Sequence, residues 1–209
     1  MEYENKITKK SDLDNNDSLS SFNNWAAQQN HNAFEVFHNF IKNTSPKRII
    51  EIGTALGGFT RFLKYTVDSL ELNCDVLSYD INYNNWYEDI KKMGVDVKIE
   101  NIFLENYTKL PQYVIDFIQS DGMTLILCDG GDKVREFNIL SDYMKPGDHI
   151  LAHDYAFDRE YFDKNIYLKV WNWHELSESD IINACERNNL KDYQRDLFQS
   201  VAWVSKIKE

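Results

Sequence analysis

Short apolar runs alternate with amphipathic segments through the middle of the chain. The apolar runs have the length of strands, and they lie at 48–52, 75–80, 95–99, 124–128 and 149–152. The segments between them carry apolar residues at helical spacing, at about 58–69, 86–92, 107–119 and 134–143. Strands that alternate with helices at this pace form βαβ units with right-handed crossovers. The pattern predicts an α/β, Rossmann-like, doubly wound fold with a mostly parallel sheet and helices on both faces.

The N-terminal region precedes this alternation. Residues 1–20 are polar and offer little apolar surface to bury, so we expect a flexible N-terminal tail. Apolar residues then recur at Phe34, Phe37, Phe40 and Ile41, which is the spacing of one helical face. The sequence therefore predicts a leading helix ahead of the first core strand.

The C-terminal region follows another pattern. Residues 154–175 combine many aromatic side chains with charges and lack a clear period, which is typical of a lid-like insertion beside a site. A helix is predicted at 178–187, followed by strands at 190–198 and 201–207 with a short turn at 199–200. These strands would complete a seven-stranded sheet with an antiparallel C-terminal strand.

Composition limits the range of partners. The 209 residues suit one domain, predicted over 21–209, and the formal net charge of −11 argues against a broad phosphate-binding surface. We expect a small or uncharged partner and no nucleic acid. No apolar stretch approaches the roughly 20 residues of a membrane span, and three well-separated cysteines are typical of a reducing compartment. We therefore expect a cytoplasmic protein with no membrane partner, and the sequence leaves a homo-oligomer open.

A glycine-rich turn follows the first core strand. The strand ends at Glu51, and the turn Gly53-Thr54-Ala55-Leu56-Gly57-Gly58 leads directly into a helix. Glycines at such a turn permit a ligand to approach the backbone closely. A dinucleotide site would need the GxGxxG spacing, which this turn fits poorly. An NAD-linked oxidoreductase is therefore the less favoured use of the fold.

Asp80 ends the second core strand, 27 residues after Gly53. Doubly wound folds that bind nucleosides keep a carboxylate near this position for the ribose hydroxyls. A carboxylate accepts hydrogen bonds from both hydroxyls, which explains the residue type. The alternative is an ordinary solvent-facing residue at a strand end.

The E-x-G-x-x-x-G-G arrangement resembles motif I of the class I S-adenosylmethionine (SAM)-dependent methyltransferases. The resemblance implies that Glu51 helps to position the methionine ammonium of SAM. It also implies an adenine contact after the third strand, where Asn101 is either a ligand of the base or a loop residue. The residues expected to wrap the ligand are Gly53, Thr54, Gly57 and Gly58.

Polar side chains end the fourth and fifth core strands. Asp129 follows one strand, and His153 and Asp154 follow the next. Because the carboxyl ends of parallel strands share one edge of a sheet, we expect these three side chains to lie together beside the cofactor site. Asp129 is thus both a cofactor-binding and a catalytic candidate.

This strand-end set resembles that of small-molecule O-methyltransferases related to the cephalosporin-hydroxylase-like and catechol-type enzymes. The resemblance implies that Asp129, His153 and Asp154 bind a divalent cation such as Mg²⁺, which would hold the acceptor hydroxyl. The chain departs from these relatives at Asp132, where a histidine is frequent, and at His153, where an acid or amide is common. Two alternatives remain open: His153 as a metal-free general base, or as a structural residue.

Lys133 and the aromatic segment allow two interpretations each. A basic lysine shortly after the fourth-strand aspartate has a catalytic role in catechol-type enzymes, whereas a charged residue at a helix start is usually solvated. Trp171 and Trp173 offer flat surfaces for a ring or sugar, or pack a helix onto the sheet.

Methyl transfer requires an acceptor aligned with the S–CH₃ bond and few catalytic groups. We predict SAM-dependent transfer to a hydroxyl of a small-molecule acceptor, with His153, Asp129 and Lys133 as catalytic candidates. A SAM-binding protein without transfer activity is the alternative that Asp132 and His153 support.

Overall fold

A mixed sheet with helices on both faces forms the centre of the molecule. The computed structural model describes residues 3–9, 20–106 and 108–209. In chain order the strands are β1 (Ile7–Lys9), β2 (Ser20–Phe22), β3 (Trp25–Ala26), β4 (Arg48–Ile52), β5 (Asp75–Asp80), β6 (Asp96–Ile99), β7 (Thr124–Cys128), β8 (His149–Ala152), β9 (Tyr155–Ala156), β10 (Leu176–Ser177), β11 (Leu190–Asp192) and β12 (Val204–Lys208). The α-helices are α1 (Ala33–Thr44), α2 (Gly58–Ser69), α3 (Tyr87–Lys92), α4 (Gln112–Gln119), α5 (Lys133–Leu140), α6 (Arg159–Tyr161), α7 (Glu178–Arg187) and α8 (Arg195–Gln199).

The central sheet has seven strands in the order β11-β12-β8-β7-β4-β5-β6. β4 lies at the point where the strand order reverses, with β5 on one side and β7 on the other, both parallel to it. β12 runs antiparallel to β8 and to β11. The predicted fold class, a mostly parallel seven-stranded sheet with an antiparallel C-terminal strand, is confirmed.

Two hydrophobic cores cover the two faces of the sheet. Alternate strand residues enter opposite cores: Ile49 packs with one and Ile50 with the other. Helices α1, α2, α3 and α8 contribute to the first core, and α4, α5 and α7 to the second. Because both faces are covered, the inner strands are mostly apolar, with buried exceptions such as Arg48 and Glu51 of β4, and their bounds could be predicted from the sequence.

The predicted C-terminal strands are partly wrong. β11 ends at Asp192, residues Arg195–Gln199 form α8, and β12 begins only at Val204. Phe198 explains the difference, because its fully buried ring packs edge-on against Phe37 and Phe40 of α1. This contact between distant segments favours a helical turn where local apolar residues indicated a strand.

Two predicted helices also have different bounds. α4 begins at Gln112 rather than near residue 107. Pro111 is its N-cap residue and has a non-helical backbone conformation, so the helix starts after it. Tyr107 lies outside the described residues. α5 begins at Lys133 and ends at Leu140, after which Ser141–Tyr143 continue as a 3₁₀ turn.

Part of the N-terminal region packs on the core. β1 pairs with β2, and β2 with β3, in a small antiparallel sheet. Tyr3 is buried and stacks on His38 with ring centroids 4.5 Å apart. Residues 3–9 are therefore part of the folded domain rather than of the flexible tail predicted over 1–20. Residues 1–2 and 10–19 lie outside the described part of the chain.

The aromatic segment that follows β8 is a compact unit at the sheet edge. β9 and β10 lie at its two ends and pair in parallel. Between them, α6 leads into a π-helical turn at Phe162–Ile166. Trp171 packs with Phe162 and Ile166 in a small separate core. Across the described residues, the structure contains no helix long and apolar enough to cross a bilayer.

Candidate active site

A cavity of about 650 Å³ opens at the carboxyl edge of β4, β5, β7 and β8. Its volume lies within the usual range for small-molecule sites. The cavity meets the turn after β4, the ends of β5 and β6, the turn after β7, and the start of the aromatic segment. The predicted site residues that line it are Gly53, Thr54, Gly57, Asp80, Asn101, Asp129, Lys133, His153 and Asp154.

The turn after β4 requires glycine at two positions. Gly53 has φ +99°, and a Cβ there would lie 2.2 Å from the backbone oxygen of Asp129. Gly57 has φ +76°, and a Cβ there would lie 2.5 Å from Ile90 Cδ1. Both positions favour glycine on conformational as well as steric grounds. The turn thus brings its backbone to the cavity wall with no side chain at these points.

Glu51 and Gly58 do not line the cavity. Glu51 is buried below the turn, where its Oε2 accepts hydrogen bonds from Thr60 Oγ1 (2.6 Å) and Ser78 Oγ (2.5 Å). Burial raises the pKa of Glu51 to about 7. Ser78 Oγ also lies 2.6 Å from Thr54 Oγ1, so Glu51 is connected to the cavity wall through two hydroxyls. In this structure Glu51 supports the turn, although the sequence suggested a direct ligand contact.

Asp80 and Asn101 lie at the other end of the cavity. Asp80 Oδ2 accepts a hydrogen bond from the Ala55 backbone N–H at 2.8 Å, and its Oδ1 accepts one from Asn82 at 2.9 Å. Asn101 Oδ1 accepts one from the Phe103 N–H at 2.9 Å. Asp80 thus joins the loop after β5 to the turn after β4, Asn101 organises its own loop, and both residues line the cavity at the carboxyl edge of the sheet.

A chain of hydrogen bonds fixes His153. Its Nδ1 lies 3.0 Å from Asp129 Oδ1, while Gln29 Nε2 donates to Asp129 Oδ2 at 2.7 Å. Trp203 Nε1 donates to Gln29 Oε1 at 2.9 Å, which fixes the orientation of that amide. Because an ionised carboxylate only accepts hydrogen bonds, the arrangement favours a proton on His153 Nδ1 and a lone pair on Nε2.

The other ring nitrogen of His153 is available to a ligand. The side chain is only 2% exposed, and its ring stacks on Trp203 and contacts the tilted ring of Trp171, at centroid distances of 4.8 and 4.6 Å. Within the described residues Nε2 has no hydrogen-bond partner, although the residue lines the cavity. A ring nitrogen without a protein partner, in a side chain that lines a cavity, can accept a hydrogen bond from a bound group.

Lys133 and Asp154 form a buried ion pair beside this histidine. Lys133 Nζ lies 2.8 Å from Asp154 Oδ2, and it donates to the Gly130 carbonyl at 2.8 Å and to Glu175 Oε2 at 3.0 Å. Burial opposes the charge on Lys133, but the surrounding carboxylates outweigh it and raise the pKa of its ammonium. Burial likewise acts to raise the pKa of Asp154, but His153 and Lys133 outweigh it, so that this pKa is lowered.

The amino-acid sequence matches a known protein family over most of its length. The profile of the FtsJ-like methyltransferases matches residues 27–191, which include all the cavity-lining residues named above. The chain belongs to the FtsJ-like methyltransferase family. No significant match was found among curated protein sequences.

Solved structures agree with the methyltransferase fold. The apo form of CmcI superposes with a TM-score of 0.64 at 11% identity, over 95% of this chain and 80% of CmcI. CmcI with Mg and SAM gives 0.63 at 12% identity, over 96% and 81%. A putative caffeoyl-CoA O-methyltransferase from Staphylococcus aureus gives 0.50 at 15% identity, over 85% and 83%. At these identities the likeness shows the fold, and the predicted class I methyltransferase fold is confirmed.

The three predicted metal ligands of the methyltransferase lie close together, but their polar atoms contact one another and other side chains of the protein. His153 Nδ1 is 3.0 Å from Asp129 Oδ1 and 3.7 Å from Asp154 Oδ1. Lys133 and the Trp171 indole N–H bind the two oxygens of Asp154. Over the part of the chain that the structure describes, no three acidic, histidine or cysteine residues form a group that could hold a metal ion. This arrangement does not fit a divalent cation.

Several residues at the site of the methyltransferase were not predicted from the sequence. Gln29 lies in a polar stretch with no recognisable motif, and its side-chain partners Asp129 and Trp203 are 100 or more residues away in the chain. Glu136 is buried and accepts hydrogen bonds from the Gly130 and Asp132 N–H groups, and burial raises its pKa to about 7. Asp132, where relatives often have histidine, instead caps α5 by accepting from the Arg135 N–H.

Proposed function

We propose that this protein transfers the methyl group of SAM to a hydroxyl of a small molecule, with His153 as the general base. The observation that carries the proposal is the buried Nε2 of His153, which has no partner among the described residues and belongs to a side chain that lines the same cavity as the glycine turn. Membership of a methyltransferase family supports methyl transfer as the reaction, and His153 provides a proton acceptor at the carboxyl edge of the sheet.

One set of cavity residues would bind SAM, and another would contact the acceptor. Bound SAM supplies an electrophilic methyl group on its sulfonium. The turn at Gly53–Gly57 and the carboxylate of Asp80 fit the amino-acid and ribose ends of such a ligand. Gly53 and Gly57 keep this part of the wall in shape, because a Cβ there would collide with the Asp129 backbone or with Ile90.

His153 would accept the hydroxyl proton at Nε2 as the oxygen attacks. Asp129, hydrogen-bonded to Nδ1, would then stabilise the imidazolium, and Gln29 would keep the carboxylate in place. Asp129 and Gln29 act through His153 and are positioning residues. Trp203 stacks on the imidazole and Trp171 lies tilted against it, so two indoles shield the ring from solvent.

The cavity wall favours an acceptor without negative charge. Among the described residues that line it are five carboxylates, those of Asp80, Glu100, Asp129, Glu136 and Asp154, against the single ammonium of Lys133. Trp171 and Trp173 add two aromatic rings with centroids 5.3 Å apart. Such a wall suits a neutral ring or sugar hydroxyl and repels phosphates.

A cation-assisted reaction is the second candidate. It is motivated by CmcI, whose structure contains Mg and SAM. The two carboxylates and the imidazole concerned are close together here, but Lys133 and Trp171 bind the oxygens of Asp154, and Gln29 binds Oδ2 of Asp129. We therefore favour the metal-free base.

The proposal is tested with purified protein, calorimetric SAM titration and labelled SAM across a panel of phenols and sugars. The wild type is expected to bind SAM and to form S-adenosylhomocysteine with at least one acceptor. His153→Asn should keep SAM binding and lose about 100-fold in kcat because it lacks the base. His174→Asn, which changes a histidine outside the cavity lining, is the matched control.

Three results decide between the alternatives. Failure to bind SAM would contradict the proposed cofactor, and preferential binding of NADH would revive the oxidoreductase. SAM binding with no product across the panel, with and without Mg²⁺, would favour a binding protein without transfer activity. Full activity of His153→Asn would remove the histidine from the mechanism.

A further inference from the structure

The ammonium of Lys133 is held by oxygen atoms from three parts of the chain. Gly130 contributes a backbone carbonyl from the turn after β7, Asp154 a carboxylate after β8, and Glu175 a carboxylate before β10. The three distances lie between 2.8 and 3.0 Å, and the Lys133 side chain is 8% exposed. An ammonium has three N–H donors, so this set satisfies all of them.

These oxygens have the chemistry of a hard-cation site. Carboxylate and carbonyl oxygens are the ligands that Mg²⁺ and Ca²⁺ use in proteins. The ammonium therefore occupies a position whose donor set would otherwise attract a divalent cation. Its positive charge lies against Asp154, next to His153 and the cavity.

Lys133 also joins the two ends of the aromatic segment to the sheet. Asp154 begins the segment and Glu175 ends it, and Glu175 additionally accepts a hydrogen bond from the Lys133 backbone N–H at 3.0 Å. Trp171, which lies between them, donates its indole N–H to Asp154. One lysine thus holds both ends of the wall that carries Trp171 and Trp173.

We propose that the Lys133 ammonium is a built-in cation that replaces a divalent metal ion at this edge of the sheet and fixes the aromatic wall of the acceptor site. The cation-binding part stands on the geometry of Lys133, Asp154 and Glu175. The statement that methyl transfer needs no divalent cation rests on the proposed function.

The test measures Mn²⁺ binding to metal-free protein by electron paramagnetic resonance. The wild type and the exposed-lysine control Lys164→Ala are expected to show no saturable binding at millimolar Mn²⁺. Lys133→Ala, which leaves the oxygens without their cation, is expected to gain a saturable site. That site should disappear again when Asp154→Asn is added, and Lys133→Arg, which keeps the charge, should not gain it.

Lys133→Gln, which keeps much of the length and loses the charge, serves as a second variant if Lys133→Ala does not fold. Saturable Mn²⁺ binding by the wild type that Asp154→Asn abolishes would overturn the proposal, as would absence of binding in a folded charge-removed variant. A chelator should leave wild-type SAM binding unchanged. Since Mn²⁺ binding is measured without any acceptor, failure of methyl transfer would contradict the proposed function and leave this result intact.

Discussion

At the scale of single residues, Glu51 connects the cofactor turn to the stability of the fold. Burial raises its pKa to about 7 from an ordinary value of 4.5, so the folded protein holds a proton that the unfolded chain releases. The corresponding stability is full below pH 4.5 and is lost as the pH rises through about 7. The group is fully buried, and the shift corresponds to a loss on the order of 3 kcal/mol.

Glu51→Gln should remove this dependence, because an amide does not titrate. We expect the free energy of unfolding, measured by urea denaturation between pH 5 and pH 8, to fall less steeply in Glu51→Gln than in the wild type. Glu160→Gln, which changes an exposed carboxylate, is the control and should follow the wild type. Equal pH slopes in Glu51→Gln and the wild type would show that Glu51 is ionised throughout.

At the scale of elements, Gly58 joins the N-terminal sheet to α2. A Cβ at this position would lie 2.3 Å from the Trp25 carbonyl oxygen and 2.5 Å from that of Ala26, both in β3. Gly58 therefore permits a close approach of two backbones and does not line the cavity. The chain continues from β3 into Ala27 and Gln28, which do line it, and into Gln29.

Gly58→Ala should displace β3 from α2. We expect a loss of about 1–3 kcal/mol of stability, the usual range for overpacking, together with weaker SAM binding. Thermal denaturation and SAM titration measure the two effects. Gly131→Ala is the control for stability, since a Cβ there has no atom within 4 Å. If Gly58→Ala and Gly131→Ala had the same thermal stability, the prediction would be wrong, because β3 could then move away from α2 without a loss of stability.

At the scale of the whole molecule, charge restricts the acceptor. The net charge is −11, and carboxylates outnumber the ammonium group in the described cavity wall. Nucleic-acid affinity depends on cations that neutralise phosphates. We therefore expect no saturable binding of labelled single-stranded or duplex RNA in fluorescence anisotropy at low salt, under conditions where SAM binds. Saturable RNA binding that weakens with added salt would contradict the proposal of a small, uncharged acceptor.

The bounds of the inner strands could be predicted because the information for them is local. Strands buried on both faces are mostly apolar, so β4, β5, β7 and β8 have the bounds that the sequence indicated. The same reasoning failed after Asp192. There, the packing of Phe198 on α1, more than 150 residues away in the chain, favours α8 over a strand.

The sequence by itself determined the glycine turn, Asp80 and the strand-end residues Asp129, His153 and Asp154, because fold class and strand position suffice to bring them to one edge. The tertiary structure decided what these residues contact. It connects Gln29 to Asp129, and Glu175 to Lys133, across 100 and 42 positions of the chain. It also shows that Glu51 lies below the turn and that the Lys133 ammonium binds Asp154, one of the expected metal ligands. Partners so distant in sequence leave no local pattern, because only the packing of complete elements brings their side chains together.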